Sequence, residues 1–184
     1  LISALTEVKK DIIFLTSVKA DIKLLYDLIE NDIGSIKNDI RSIKNNIRAL
    51  HLSFLKHPSQ IDHYILKTIS KAKVVVVRIF GDKGVWSYGL EQLSIWSKTK
   101  LNNKLIVLSG TEEQDIELNE LSNIDLKLSH KLSLLLREGG KVNYLKFLKS
   151  LNFIINNDFN IPNNYLIVKK YNDPILFDWK KEEG

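Results

Sequence analysis

His51, His57, His63 and His130 are the only imidazoles in the sequence, and there is no cysteine to join them. Together these facts bound the metal and base chemistry the chain can support. Two histidine ligands on one helix face need a spacing of four residues, and none of the four has such a partner. His57 and His63 stand on either side of Pro58 and could converge, but lone histidines at this spacing read more simply as surface residues. Without cysteine there is no disulfide, thiolate zinc site or thiol nucleophile. Ser109 and Gly110 lack the preceding Gly-x of a nucleophile elbow, so hydrolase chemistry has no support either. The residues alone form no catalytic constellation and no metal site.

Binding is the other chemistry on offer. Gly81, Asp82, Lys83 and Gly84 follow an apolar run, and glycines let backbone N–H groups approach an anion at a helix N-terminus. Neither the P-loop spacing nor the dinucleotide fingerprint occurs, so a strand-to-helix turn is the simpler reading. Trp86 and Tyr88, expected at the tip of this turn near Arg78, could stack on a planar ligand or pack the next helix onto a sheet.

The elements that would position these groups follow from periodicity. Val74 to Val77 are four consecutive valines, and a β-branched run without polar alternation belongs to a strand buried on both faces. Asp11–Ser17, Arg48–Ser53 and Lys104–Gly110 read as further short strands. Between them, apolar residues from Ile22 to Leu50 recur at steps of three and four, predicting a long helix over about 21–46. Its second half repeats with a period of seven, Ser35–Arg41 and then Ser42–Arg48, short of the roughly three or four heptads a coiled coil needs. Lys37, Arg41, Lys44 and Arg48 form a solvated stripe beside the isoleucines. Helices are also expected from Pro58, over Val85–Lys100, and over Ile116–Leu121, Leu126–Arg137 and Val142–Ile155. Tyr165–Lys169 reads as a possible edge strand. Such alternation predicts an α/β domain over 1–155 with a doubly wound, mainly parallel sheet, flanking helices and a small helical segment after it. Residues 156–184 are expected to connect onward.

A net charge of +5 raises the question of nucleic acid, yet the lysines are spread along the chain, and no nucleic-acid partner is expected. No apolar run approaches the roughly 18–20 residues of a membrane span, and no signal peptide opens the chain, so a cytoplasmic location is expected. The absence of any methionine and the run from Lys180 to Gly184 suggest a piece of a longer protein.

One family pattern matches in order along residues 11–155. Val75, Val76, Val77 and Arg78, then Gly81, Trp86, Tyr88, Gly89 and Glu91, resemble the central motif of the cobaltochelatase and magnesium chelatase large-subunit family. Phe14–Thr16, Arg48–Leu52, and Leu108–Gly110 before an acidic loop fall in the same sequence. Glu138, Gly139, Gly140 and Asn143 are similar to the family's Glu-Gly-Gly-x-x-Asn element. Asp82 departs from the pattern, standing where the family commonly has a second glycine, and Asp enters positive φ less readily than Gly. The resemblance implies the head of a large tetrapyrrole-binding subunit that inserts cobalt(II) into hydrogenobyrinic acid a,c-diamide in cobalamin biosynthesis, with Mg-ATP used by ATPase partner subunits. Magnesium chelatase acting on protoporphyrin IX, or a non-catalytic docking module, are the alternatives. It further implies that this piece holds no cofactor or catalytic residue. Arg78, Gly81, Trp86, Tyr88 and Gly89, with Glu138, Gly139, Gly140 and Asn143, are the candidates for a tetrapyrrole-proximal or structural role.

Overall fold

A computed structural model describes residues 9–31, 43–111 and 115–171. Four strands, β1 (Ile12–Thr16), β2 (Ile47–His51), β3 (Val74–Ile79) and β4 (Lys104–Ser109), form one all-parallel sheet in the order β2-β1-β3-β4. The helices are α1 (Lys19–Asn31), α2 (Pro58–Lys67), α3 (Ser87–Thr99), the short α4 (Ile116–Asn119), α5 (Leu126–Glu138) and α6 (Gly140–Ile155).

Period-two alternation sends each strand's side chains to two cores. Ile12, Phe14, Val74, Val76, Ile106 and Leu108 meet α1, α5 and α6 on one face. Ile13, Leu15, Val75, Val77, Ile79, Leu105 and Val107 meet α2, α3 and α4 on the other. Helices therefore cover both faces, as a doubly wound sheet requires, and the four valines are fully buried. Because β2 and β3 lie on opposite sides of β1, the winding reverses between β1 and β3. In such sheets the crevice outside the carboxyl ends at the reversal is where ligands bind.

The structure corrects two sequence expectations. The helix expected over 21–46 is described only as α1 and, beyond it, from Ile43; residues 32–42 with most of the heptad repeat lie outside the described residues. Ile47, placed on the helical stripe by its spacing, instead opens β2. Asn46 makes the change of direction: its side chain accepts from the Asp11 N–H at 2.8 Å and donates to the Asp11 carboxylate at 2.9 Å, fixing β2 beside β1.

The edge strand expected at Tyr165–Lys169 does not form. The chain there is a short 3-10 turn, Asn163–Tyr165, followed by irregular backbone lying against α6. Lys146 donates to the Ile167 carbonyl, and Asn143 takes both the N–H and the C=O of Lys169. The free edge of β4 is already blunted by Ser122 and Asn123, whose side chains bond the Val107 and Leu105 backbone. Ile161, Tyr165, Leu166 and Val168 join the α1/α5/α6 core, so the described part of the segment read as a connection is packed onto the domain.

The α3 face that meets the sheet carries Leu90 and Leu93. Trp96 is buried and Ile95 is exposed.

Candidate functional site

Thr16 and Arg78 are register partners at the carboxyl ends of β1 and β3, both directed into the α1/α5/α6 face. Asp21, in the first turn of α1, is fully buried and takes an Arg78 guanidinium N–H at 2.6 Å. Its other oxygen accepts from the Thr16 hydroxyl at 2.7 Å, and the Tyr144 hydroxyl of α6 donates to the same oxygen as Arg78. Arg78 reaches further, to the Tyr144 oxygen at 3.1 Å and to the Leu136 carbonyl in the last turn of α5 at 3.4 Å. An anion at a helix start and a cation at a helix end both complement the helix dipoles.

Thr16, Asp21 and Tyr144 are all engaged in this network, whereas the buried Arg78 Nε has no hydrogen-bond partner. Burial, then the charge of Asp21 and its hydrogen bond, push the Tyr144 phenol well above its usual range, against a smaller opposing effect of Arg78. Tyr144 is therefore a neutral donor. With Asp21 fully engaged and shut from solvent, the cluster is a clamp that fixes the backbone at the winding reversal rather than an acid–base pair. It joins β1, α1, β3, α5 and α6, and so holds the turn after β3 and the α5–α6 turn at the same end of the sheet.

Of the predicted residues, Gly81 has φ +120°, a value that favours glycine, and turns the chain after β3. Asp82 has φ −86° and ψ 177°, ordinary extended backbone, and its carboxylate accepts from the Gly84 N–H at 2.8 Å. The departure from a second glycine thus costs no strain. Trp86 is not a stacking platform: it is buried among α2 and α3 side chains, and its indole N–H donates to the Leu55 carbonyl at 2.9 Å. Gly89 lies under that ring, where a Cβ would come within 2.3 Å. The Tyr88 hydroxyl donates to Asp62 at 2.7 Å; this bond, then desolvation and the charges of Asp62 and Glu91, raise its pKa. The apolar side chains that face solvent at this turn are instead Phe80, 64% exposed, and Val85, 61% exposed.

The second predicted cluster closes on the chain itself. Glu138 accepts from the Tyr171 N–H at 3.4 Å, and a Cβ on Gly140 would fall 2.3 Å from the Tyr171 hydroxyl. Gly139 ends α5 with φ +76°, and Asn143 is fully buried between the Gly139 carbonyl and the Lys169 backbone. Arg78 is the one predicted residue that bridges the two regions.

Asp21, Tyr144, Thr16 and Phe80 were missed by motif reasoning. Asp21, Leu25 and Leu28 share one helix face, as do Tyr144, Phe147, Leu148 and Leu151, so both polar groups lie on stripes whose apolar members are buried. His51 is tied at both ring nitrogens, to Ser53 and to the Ser17 carbonyl, and no group of three His, Asp or Glu side chains fit for a metal occurs among the described residues. No described helix is long and apolar enough to cross a membrane.

Fold and site together define a doubly wound α/β domain with a buried Arg–Asp clamp at its winding reversal. The chain is similar to the large subunit of cobaltochelatase. It is 29% identical over 97 residues to the aerobic cobaltochelatase subunit CobN of Pseudomonas aeruginosa, a stretch that spans 53% of this chain and 8% of that protein. Its fold matches the catalytic subunit of cobaltochelatase from Mycobacterium tuberculosis with a TM-score of 0.53 and 18% identity, over 80% of this chain and 10% of that one. No family model matches the sequence. The chain thus spans about a tenth of the length of either relative.

Proposed function

We propose that the chain is a domain of a tetrapyrrole-binding cobaltochelatase large subunit, which inserts cobalt(II), as substrate, into a corrin precursor of the hydrogenobyrinic acid a,c-diamide type during cobalamin biosynthesis. The observation that carries this reading is the similarity to a cobaltochelatase subunit over half of the chain, joined to a fold match over four-fifths of it. The reading assigns ATP hydrolysis to partner subunits and metal insertion to parts of the enzyme outside this domain. In this reading the clamp is structural, with Asp21 and Tyr144 committed to Arg78 and closed to solvent.

The domain's part in this reading is to present the turn Gly81–Gly89 as a wall for the tetrapyrrole, with Phe80 and Val85 as its apolar contacts. Both side chains stand exposed beside the crevice that doubly wound sheets use for ligands. Titration of hydrogenobyrinic acid a,c-diamide into the full-length subunit tests this, comparing the wild type with a Phe80→Ala, Val85→Ala double variant. Removing two apolar contacts should weaken binding by about tenfold or more. Equal affinities would leave the turn without a role in holding substrate, while the absence of corrin binding by the wild type would remove the reading altogether.

A further inference from the structure

We propose that the opposite, amino-terminal end of the sheet carries a docking groove for an acidic surface of a separate protein subunit. Lys9 precedes β1, Lys71 and Lys73 precede β3, and Lys100 precedes β4; all four line one groove of about 750 Å³ floored by the end of α6. No carboxylate and no arginine lines it. Lys9 has a distant partner, Asp11 at 3.7 Å, whereas Lys71, Lys73 and Lys100 form no ion pair among the described residues. Four lysines from separate parts of the sequence are thereby gathered in space. At the groove's rim Leu101 is 93% exposed.

Charge complementarity calls for an anionic occupant, and the wall chemistry selects its class. Bidentate phosphate recognition uses arginine, and single-stranded nucleic acid needs aromatic platforms for its bases. The groove offers neither. Flexible lysines around an exposed leucine suit a protein surface that presents carboxylates about an apolar socket, the arrangement of a polar rim around an apolar core.

The test uses the full-length subunit and fluorescence anisotropy with a short labelled peptide rich in Glu and Asp around a central leucine pair. A glutamine analogue of the peptide and a single-stranded oligonucleotide of equal length serve as comparison probes. The groove variant K71E/K73E/K100E is set against K67E/K127E/K131E, which makes the same change in net charge on other exposed lysines. The acidic peptide should bind the wild type at least about tenfold more tightly than its glutamine analogue, and the groove variant alone should lose that margin. Leu101→Asp should weaken the peptide further. Equal losses in both triple variants, no preference for the acidic peptide, or tighter binding of the oligonucleotide would each overturn the proposal. Circular dichroism, and a Lys→Gln version of the groove variant, separate lost docking from lost folding.

Discussion

Arg78 and Asp21 lie 57 residues apart in sequence and 2.6 Å apart in space, the cation on the central strand and the anion at the start of the first helix, both shut from solvent. Each charge is tolerable there only because of the other. Removing one partner of such a pair leaves an uncompensated charge in the core, at a cost of about 3–5 kcal/mol. Asp21→Asn should therefore lower unfolding stability by that amount, read from urea denaturation. Replacing both residues with apolar side chains should cost less than either single change.

Tyr144 makes the clamp sensitive to base. Its phenol is held above the ordinary value of about 10, so the unfolded chain loses the proton first as pH rises. The stabilising contribution is complete below about pH 10 and declines as the pH climbs from there toward the raised folded value. Tyr88, also raised, contributes in the same direction. Stability measured from pH 8 upward should fall above about pH 10, and Tyr144→Phe should flatten that fall while costing about 1–3 kcal/mol at neutral pH through its lost hydrogen bonds to charged groups.

Asn143 ties Lys169 to α6 through two hydrogen bonds of 2.8 Å and holds the Gly139 carbonyl through a third of 2.8 Å. Asn143→Ala should leave the Lys169 N–H and two carbonyls without these partners, a loss of about 1–3 kcal/mol for each buried group left unsatisfied. Amide exchange at Lys169 to Tyr171 should accelerate in this variant before that of the sheet does.

At Gly89 the controlling contact is steric. A Cβ would stand 2.3 Å from the Trp86 ring, so Gly89→Ala must push the indole out of its slot, at about 1–3 kcal/mol, the usual penalty for overpacking. The Trp86 emission should shift to the red. By contrast, Asp82→Gly should lose a few tenths of a kcal/mol and gain nothing, because Asp82 already sits in extended backbone and caps Gly84.

The parallel layered sheet was legible because its evidence is local: four valines in a row, apolar runs ending in small residues, and helical stripes between them. The stop of the helix before β2 was legible too, with helix at 43–44 and β2 opening at Ile47, but its cause was not. Ile43 and Ile47 continue the spacing of the isoleucine stripe without a break, and the turn between them depends on Asn46 bonding Asp11, 35 residues earlier. Arg78, Gly81 and the Glu138–Asn143 turn were visible as motif residues, but motif logic could not tell a ligand site from one filled by the chain's own Tyr171. The clamp was half legible. A positive charge in a strand buried on both faces requires a buried anion, and Asp21 on the Leu25 and Leu28 face was available by spacing, whereas Tyr144 joins from 123 residues away. Trp86 stayed open between stacking on a ligand and packing the next helix because the Leu55 carbonyl that satisfies its indole is contributed from 31 residues earlier.

The most direct measurement of the proposed function is cobalt insertion by the full-length subunit supplied with the ATPase subunits that the proposal calls for, Mg-ATP, cobalt(II) and hydrogenobyrinic acid a,c-diamide, followed by the change in corrin absorbance. Cobalt-dependent conversion of the corrin, with no magnesium insertion into protoporphyrin IX under the same conditions, is the predicted result. Magnesium insertion into protoporphyrin IX with the corrin left unchanged would contradict the account.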